Sequence, residues 1–409
     1  MRSKLLFYAT VFLLPLNLGL HFEIKAAYVW GLLIDYLVPT VFVQDILVAL
    51  LLVVFVFEQR GRFKNLVYGL FQERRFQFLI FFLFSVLLSC FGAVRFVPSI
   101  YAFGRLFLYA LFSVYVYLEV GARDVKVAGK VFLISMLFVS LLGIAQFFHK
   151  GAIFNNYLFF GEQPYSNATP FIAKERLLGK LYLPAYGLFR HPNVFGAFLV
   201  VAVLVVLYLF RTKNERFSPK EGLWIAALSI LLLALFFTFS FISWTALLLG
   251  LLLSGYNFSR FNKALFVLIL VIPLLLPLVK QEIPFNKIPS IDRRVVLMQA
   301  AYKMITEKPF FGFGYNNITI YIESYIQDLS DIRFTQPIHN IFALVFAESG
   351  FYAFIFFVLF LFSSFVAQKN SRLKVLCLVL LFLAGFDHYF LTAHQAQLLL
   401  FGVFALHDV

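Results

Sequence analysis

Charge is what this sequence lacks most. Of 409 residues only 13% are Asp, Glu, Lys or Arg, about half the roughly 25% typical of soluble domains. Cysteine is nearly absent as well: Cys90 and Cys377 both lie inside apolar runs, so no disulfide framework is available and the redox compartment stays unread. There is no P-loop, no Rossmann fingerprint and no G-x-S-x-G elbow, and nothing has zinc-site spacing. What fills the chain instead is hydrocarbon. It is 62% hydrophobic, and its 57 phenylalanines outnumber the 34 basic and 20 acidic residues together. One water-soluble globule cannot hide such a load, because interiors that large split into domains with polar skins. A disordered chain, a fibrous protein and an ordinary soluble enzyme are excluded. The pattern predicts an all-α polytopic membrane protein forming a single integral domain over residues 1–409.

A helix needs about 20 apolar residues to cross the hydrocarbon. On that basis twelve stretches qualify, near 5–20, 38–57, 76–94, 99–119, 131–148, 190–210, 222–239, 241–257, 264–279, 339–366, 375–391 and 395–407, the pair around Ser240 being readable as one broken helix. The first stretch mimics a signal peptide, yet Pro15, Asn17 and His21 stand where a small-x-small cleavage site would be, so it reads as a retained span. The net charge of +14 suggests nucleic acid until position is considered. Basic residues cluster in short loops at Arg60/Arg62/Lys64/Arg74/Arg75, Arg123/Lys126/Lys130, Arg211/Lys213/Arg216/Lys220, Arg260/Lys263 and Lys369/Arg372/Lys374, and all of them fall on one side of the membrane. That is the cytoplasmic signature. It places both termini in the cytoplasm and points to lipid, not nucleic acid. Two long segments, 149–189 and 280–338, lie on the outer face. No internal repeat is visible, which counts against repeat-built transporters.

Within the second outer segment, Ile291 to Thr306 reads as an amphipathic helix, with Leu297, Ala301, Met304 and Ile305 on one face and Asp292, Gln299, Lys303 and Thr306 opposite. Arg294 points with the apolar face. It either snorkels to the interface or aims a forked guanidinium into a cavity where a diphosphate would accept it; Arg293 beside it suits a solvated or headgroup contact. Gly312 and Gly314 permit a tight turn. His339-Asn340 then opens the next span, with Glu348-Ser349-Gly350 further in. An imidazole at the outer lip is either structural or a general base. A second cluster, Arg190-His191-Pro192-Asn193, opens the sixth span, where helix N-termini attract anions. Of the charges inside spans, Asp45, Arg105, Glu348 and Asp387 demand partners, and Asp45 with Arg105 is the natural pair. Asp387-His388 and His394 frame the last outer turn.

Taken in series, Gly187-x-x-Arg190-His191-Pro192-Asn193-x-x-Gly196, Arg294 with Ala300-Ala301-Tyr302-Lys303-Met304-Ile305-x-x-x-Pro309-x-x-Gly312-x-Gly314, His339-Asn340 and Glu348-x-Gly350 resemble the O-antigen ligase and O-antigen polymerase superfamily. The resemblance implies a GT-C-type glycosyltransferase of about twelve transmembrane helices in the bacterial inner membrane, acting in lipopolysaccharide biosynthesis on the periplasmic face. Such enzymes take a glycan from undecaprenyl diphosphate without metal, cofactor or nucleotide sugar. Ligases deliver it to the lipid A core, and relatives polymerise repeat units. By resemblance His339 would be the base of an inverting transfer and Arg294, Arg190 and Arg293 would hold the diphosphate, with His191, Asn193, Asn340 and Glu348 in support. Glu348 sits about two and a half turns below His339 and shares its face poorly. Many ligases also carry a Ser-Arg pair at the turn between the seventh and eighth spans. Here Ser240-Phe241-Ile242-Ser243 occupies it, so that either Arg176 or Lys180 in the other outer segment substitutes or this chain handles its donor differently. A twelve-span transporter of an anionic solute and a membrane scaffold are the competing classes.

Overall fold

The computed structural model describes residues 2–170, 172–177, 180–210, 219–254, 262–274, 289–326 and 335–407. Loop residues Arg211, Lys213, Arg216 and Arg260, parts of the second outer segment (280–288 and 327–334) and the side chain of Arg176 lie outside the described residues. The chain is a bundle of helices: α1 (Arg2–Phe12), α2 (Val43–Gln59), α3 (Phe63–Gln72), α4 (Arg74–Phe91), α5 (Phe96–Glu119), α6 (Ala122–His149), α7 (Pro192–Phe210), α8 (Pro219–Phe237), α9 (Phe241–Ser254), α10 (Asn262–Leu274), α11 (Pro289–Glu307), α12 (Ile318–Tyr321), α13 (Ile341–Ala367), α14 (Ser371–Phe386), α15 (Tyr389–Thr392) and α16 (His394–Ala405). Each of the twelve apolar stretches carries a helix. Among the described residues, though, five are long and apolar enough to cross a membrane by length and composition: α4, α5, α6, α7 and α13.

The first stretch departs most from expectation. α1 has 11 residues, about 16 Å at 1.5 Å per residue, against the roughly 30 Å of a hydrocarbon core. Leu14 precedes Pro15, a position that disfavours helix, and the chain turns away there. It then forms a cap that hydropathy did not reveal. Strand β1 (Gly19–His21) pairs antiparallel with β4 (Thr40–Phe42), and β2 (Tyr28–Val29) pairs with β3 (Leu32–Leu33). Ala27, Val29, Ile34, Leu37 and Val38 form a small core beneath it. The segment after α6 locks onto this cap, with the Gly19 amide donating to the Tyr157 hydroxyl at 2.9 Å. Buried Glu162 organises that segment, accepting from Gln146 Nε2 at 2.6 Å and from the amides of Ile153 and Phe154 at 2.9 and 2.6 Å. A hairpin of β5 (Glu175–Leu177) and β6 (Lys180–Tyr182) completes it.

Around Ser240 the turn Thr238–Ser240 interrupts the helical run, with α8 ending at Phe237 and α9 beginning at Phe241. Ser240 Oγ and Ser243 Oγ are 2.8 Å apart and press on Gly196 of α7, where any Cβ would collide with Ser243. Gly196 is therefore a close-approach residue. α13 is interrupted at Gly350 (φ 79°, ψ −177°). Into that break fits the loop after α11: the Phe313 and Gly314 amides donate to the carbonyls of Ala347 and Glu348 at 3.0 and 2.8 Å, and the Phe351 amide to Pro309 at 2.8 Å. Gly312, Gly314 and Gly350 all have positive φ. The two glycine motifs of the sequence are thus the halves of one joint.

Candidate functional site

The site grows from the end of α14. Asp387 leaves the helix in extended conformation, and its Oδ1 accepts the His388 amide at 2.8 Å. Asn340 fixes what faces it. Its Oδ1 caps α13 by accepting from the amides of Phe342 and Ala343 (2.9 and 3.0 Å), while its Nδ2 donates to the Gly385 carbonyl at 2.8 Å. An Asn cap of this kind satisfies orphan donors, and here it also bolts the start of α13 to the end of α14. His339, one residue earlier, is thereby held with Nδ1 3.9 Å from Asp387 Oδ1, its ring 4.9 Å from that of His388 in a stacked arrangement.

Arg294 arrives from α11. Leu297, Ala301 and Met304 are buried on the face expected, Gln299, Lys303 and Thr306 are exposed, and the Arg294 side chain, 12% exposed, goes with the buried face. Its Nη2 lies 3.8 Å from Asp387 Oδ2 and its Nε donates to the Phe386 carbonyl at 3.3 Å. Asn193, in the first turn of α7, donates Nδ2 to Asp387 Oδ2 at 3.3 Å. His191 caps that turn by accepting the Asn193 amide at its Nδ1, 3.1 Å away. Four separate stretches therefore meet at one carboxylate.

The electrostatics follow. Burial pushes His339 well below its usual 6.5, with Asp387 pulling the other way, so the imidazole is neutral and able to take a proton at pH 7. Burial likewise brings His388 down to about 4; its Nδ1 lies 2.7 Å from the Thr392 hydroxyl. Burial works against the Asp387 charge, but the facing imidazoles and Arg294 outweigh it and hold the carboxyl below its ordinary range. His339, Asp387 and His388 also offer metal-type donors within 4.8 Å of one another. Zinc at 2.0–2.2 Å from its ligands would need neighbouring donors about 3.4 Å apart. The Asp387 separations are 3.9 Å to each imidazole, and the Arg294 guanidinium already faces the carboxylate. The set fits a metal poorly.

Other residues singled out in the sequence lie elsewhere. Arg190 points away from Asp387: its Nη2 is 3.3 Å from His21 Nε2 and its guanidinium 5.9 Å from the Phe42 ring centre. It lines a polar cavity of about 50 Å³ together with Arg105, Tyr36, Glu348 and Thr392. Tyr36, edge-on to His388 at 5.4 Å, stands between the two areas. Glu348 accepts the Ile318 amide at 3.2 Å, so it steadies the joint below the site. No hydrogen bond or ion pair connects Arg293 to the cluster among the described residues, and Lys180 is exposed on its hairpin. Asp387 as the hub, with His388 and Tyr36, was missed by sequence reasoning. An Asp-His doublet ending an apolar run was the available signal for the first two; Tyr36 gave none.

Residues 193–358 match the sequence profile of the O-antigen ligase family. That interval contains Asn193, Arg294, His339 and Glu348 and stops short of Asp387. No curated protein and no solved structure matches the chain.

Proposed function

We propose, from the match of residues 193–358 to the O-antigen ligase family, that this multi-pass membrane protein moves a glycan from a polyprenyl-diphosphate carrier, undecaprenyl diphosphate by family analogy, onto an acceptor hydroxyl at the periplasmic face of the bacterial inner membrane. The supporting observation is the convergence of His339 and Arg294 on Asp387, from stretches of chain separated by α12 and much of the second outer segment. In this reading neutral His339 removes the acceptor proton as the hydroxyl oxygen attacks the anomeric carbon. The bond from that carbon to the diphosphate oxygen breaks, the configuration inverts, and the lipid diphosphate departs. Asp387 orients the imidazole and stabilises the imidazolium that forms. Arg294 offsets the charge growing on the leaving diphosphate, and the cavity beyond Tyr36 brings Arg190 as a second cation. Arg293 takes a headgroup role at the rim. Twelve spans, cytoplasmic termini and the GT-C architecture belong to the same proposal.

Ligation to a lipid A core is the first reading and polymerisation of repeat units the alternative. Deleting the gene and resolving surface glycans on a gel separates them. Ligation requires loss of all long glycan with lipid-linked chains accumulating; single-repeat products require polymerisation. An unchanged glycan profile overturns both.

A further inference from the structure

At the opposite end of the bundle lies a much larger hollow of about 520 Å³. Along α7 its lining runs from Val201 to Tyr208, which begins roughly 12 Å and ends roughly 22 Å beyond Asn193 at 1.5 Å per residue. Close-packed interiors do not leave spaces of that size between side chains, and the volume is in the range of ligand sites, about 300–1,000 Å³. Its wall comes from α1, α5, α6, α7, α9, α14 and α16, with half-buried Ala128, Leu204 and Val205 facing in. The lining is almost wholly apolar. Of its three side-chain hydroxyls, those of Thr10 and Ser254 are spent on their own backbones, Thr10 Oγ1 donating to Leu6 O at 2.8 Å and Ser254 Oγ to Gly250 O at 2.7 Å, and the third belongs to Tyr208. Among the described residues no carboxylate lines it. A sugar or a water cluster would find few partners there.

One charge stands at the rim. Arg372 is exposed, and its place is set by Asn370, whose Oδ1 accepts the Arg372 amide at 3.0 Å. Its Nη1 donates to the Tyr208 carbonyl at 3.1 Å and its guanidinium sits 5.2 Å from the Tyr208 ring centre. That uses one of five N–H donors among the described residues. Lys369 and Lys374 flank it in sequence.

We infer that this hollow binds an anionic phospholipid, one acyl chain lying between the helices and the phosphate on Arg372. The inference is independent of the glycan-transfer reading, since no residue of the Asp387 cluster takes part. The whole protein, purified in mild detergent and placed in nanodiscs of phosphatidylcholine doped with phosphatidylglycerol, is examined by native mass spectrometry. The wild type is expected to retain phosphatidylglycerol in preference to phosphatidylcholine. Arg372→Ala lowers that preference roughly fivefold, the scale of one Arg beside an anionic headgroup. Val205→Trp fills the hollow and abolishes retention with Arg372 untouched; Ala128→Leu does the same in part and replaces it should the Trp variant fail to fold. Equal retention of both lipids by the wild type, or undiminished retention in the filled variants, overturns the inference. So does displacement of the bound lipid by polyprenyl phosphate from wild type and Arg372→Ala alike, which assigns the hollow to an isoprenoid tail.

Discussion

Two carboxylates, half-buried Asp45 and buried Asp387, face an arginine at the same 3.8 Å, and they are built for different ends. Asp45 is saturated. Its Oδ1 accepts the Tyr109 hydroxyl at 2.5 Å and its Oδ2 the Phe42 amide at 2.8 Å, while Arg105 donates to the Thr40 carbonyl at 2.8 Å and lies over the rings of Phe42 and Tyr101. Among the described residues Asp387 is held tightly only by its neighbour's amide. Its side-chain partners stand off at 3.3–3.9 Å, and His339 Nδ1 is buried without a hydrogen bond. A buried polar group left short of partners costs stability, and such cost is accepted where groups must rearrange around a substrate. Asp45 ties cap to bundle; Asp387 is loose enough to work.

Breaking the contrast at its centre should have the largest effect. His339→Ala is expected to lower glycan transfer by roughly 10² or more, the scale of losing a general base, with membrane abundance unchanged on an immunoblot. Normal transfer by a well-expressed variant removes His339 from the chemistry. Asp387→Asn comes next, near 10-fold to 100-fold. It keeps the shape but loses the charge that stabilises an imidazolium and pairs with Arg294, and rescue by Asp387→Glu above the Asn level separates charge from mere packing.

How much of this was legible beforehand differs between elements for physical reasons. The face of α11 and the inward turn of Arg294 were readable, because a period of 3.6 fixes which residues share a face. So was the Asp45–Arg105 pair, because charges within spans are few enough to match by elimination. Gly312-x-Gly314 and Glu348-x-Gly350 were each visible, but nothing local says that one turn plugs a break made by the other. The cap of β1–β4 was invisible because its strands are two or three residues long, too short for alternation to register. Asp387 was noticed as a charge needing a partner; its place as hub depends on Asn340 clamping α13 to α14, a contact set by packing and absent from any spacing.

Arg294→Lys sharpens the same comparison at a smaller scale. Lysine keeps the charge and loses the fork that reaches Asp387 and the Phe386 carbonyl together, so a loss of about tenfold in transfer is expected. Wild-type activity reduces Arg294 to a snorkelling residue. Asp45→Ala supplies the opposite control. Removing one partner of a fully buried pair costs about 3–5 kcal/mol and of this half-buried pair less, so detergent-solubilised protein should melt earlier and accumulate less, while transfer per folded molecule stays within about twofold. A loss of specific activity as large as that of Asp387→Asn would erase the distinction between the two carboxylates.

The finest test is the shape of the pH profile. An exposed histidine base loses activity as pH falls through 6.5. Burial lowers the His339 value, and Asp387 only partly restores it, so the imidazole keeps its neutral form to more acidic pH. Transfer by the wild type should therefore stay level from pH 8 through 6.5 and decline only below. In Asp387→Asn the upward pull is gone, and the acidic limb should move lower still even though the plateau has dropped. A limb that moves upward instead would mean that Asp387 does not face His339 in the working enzyme, and the standing-off geometry that separates this carboxylate from Asp45 would lose its meaning.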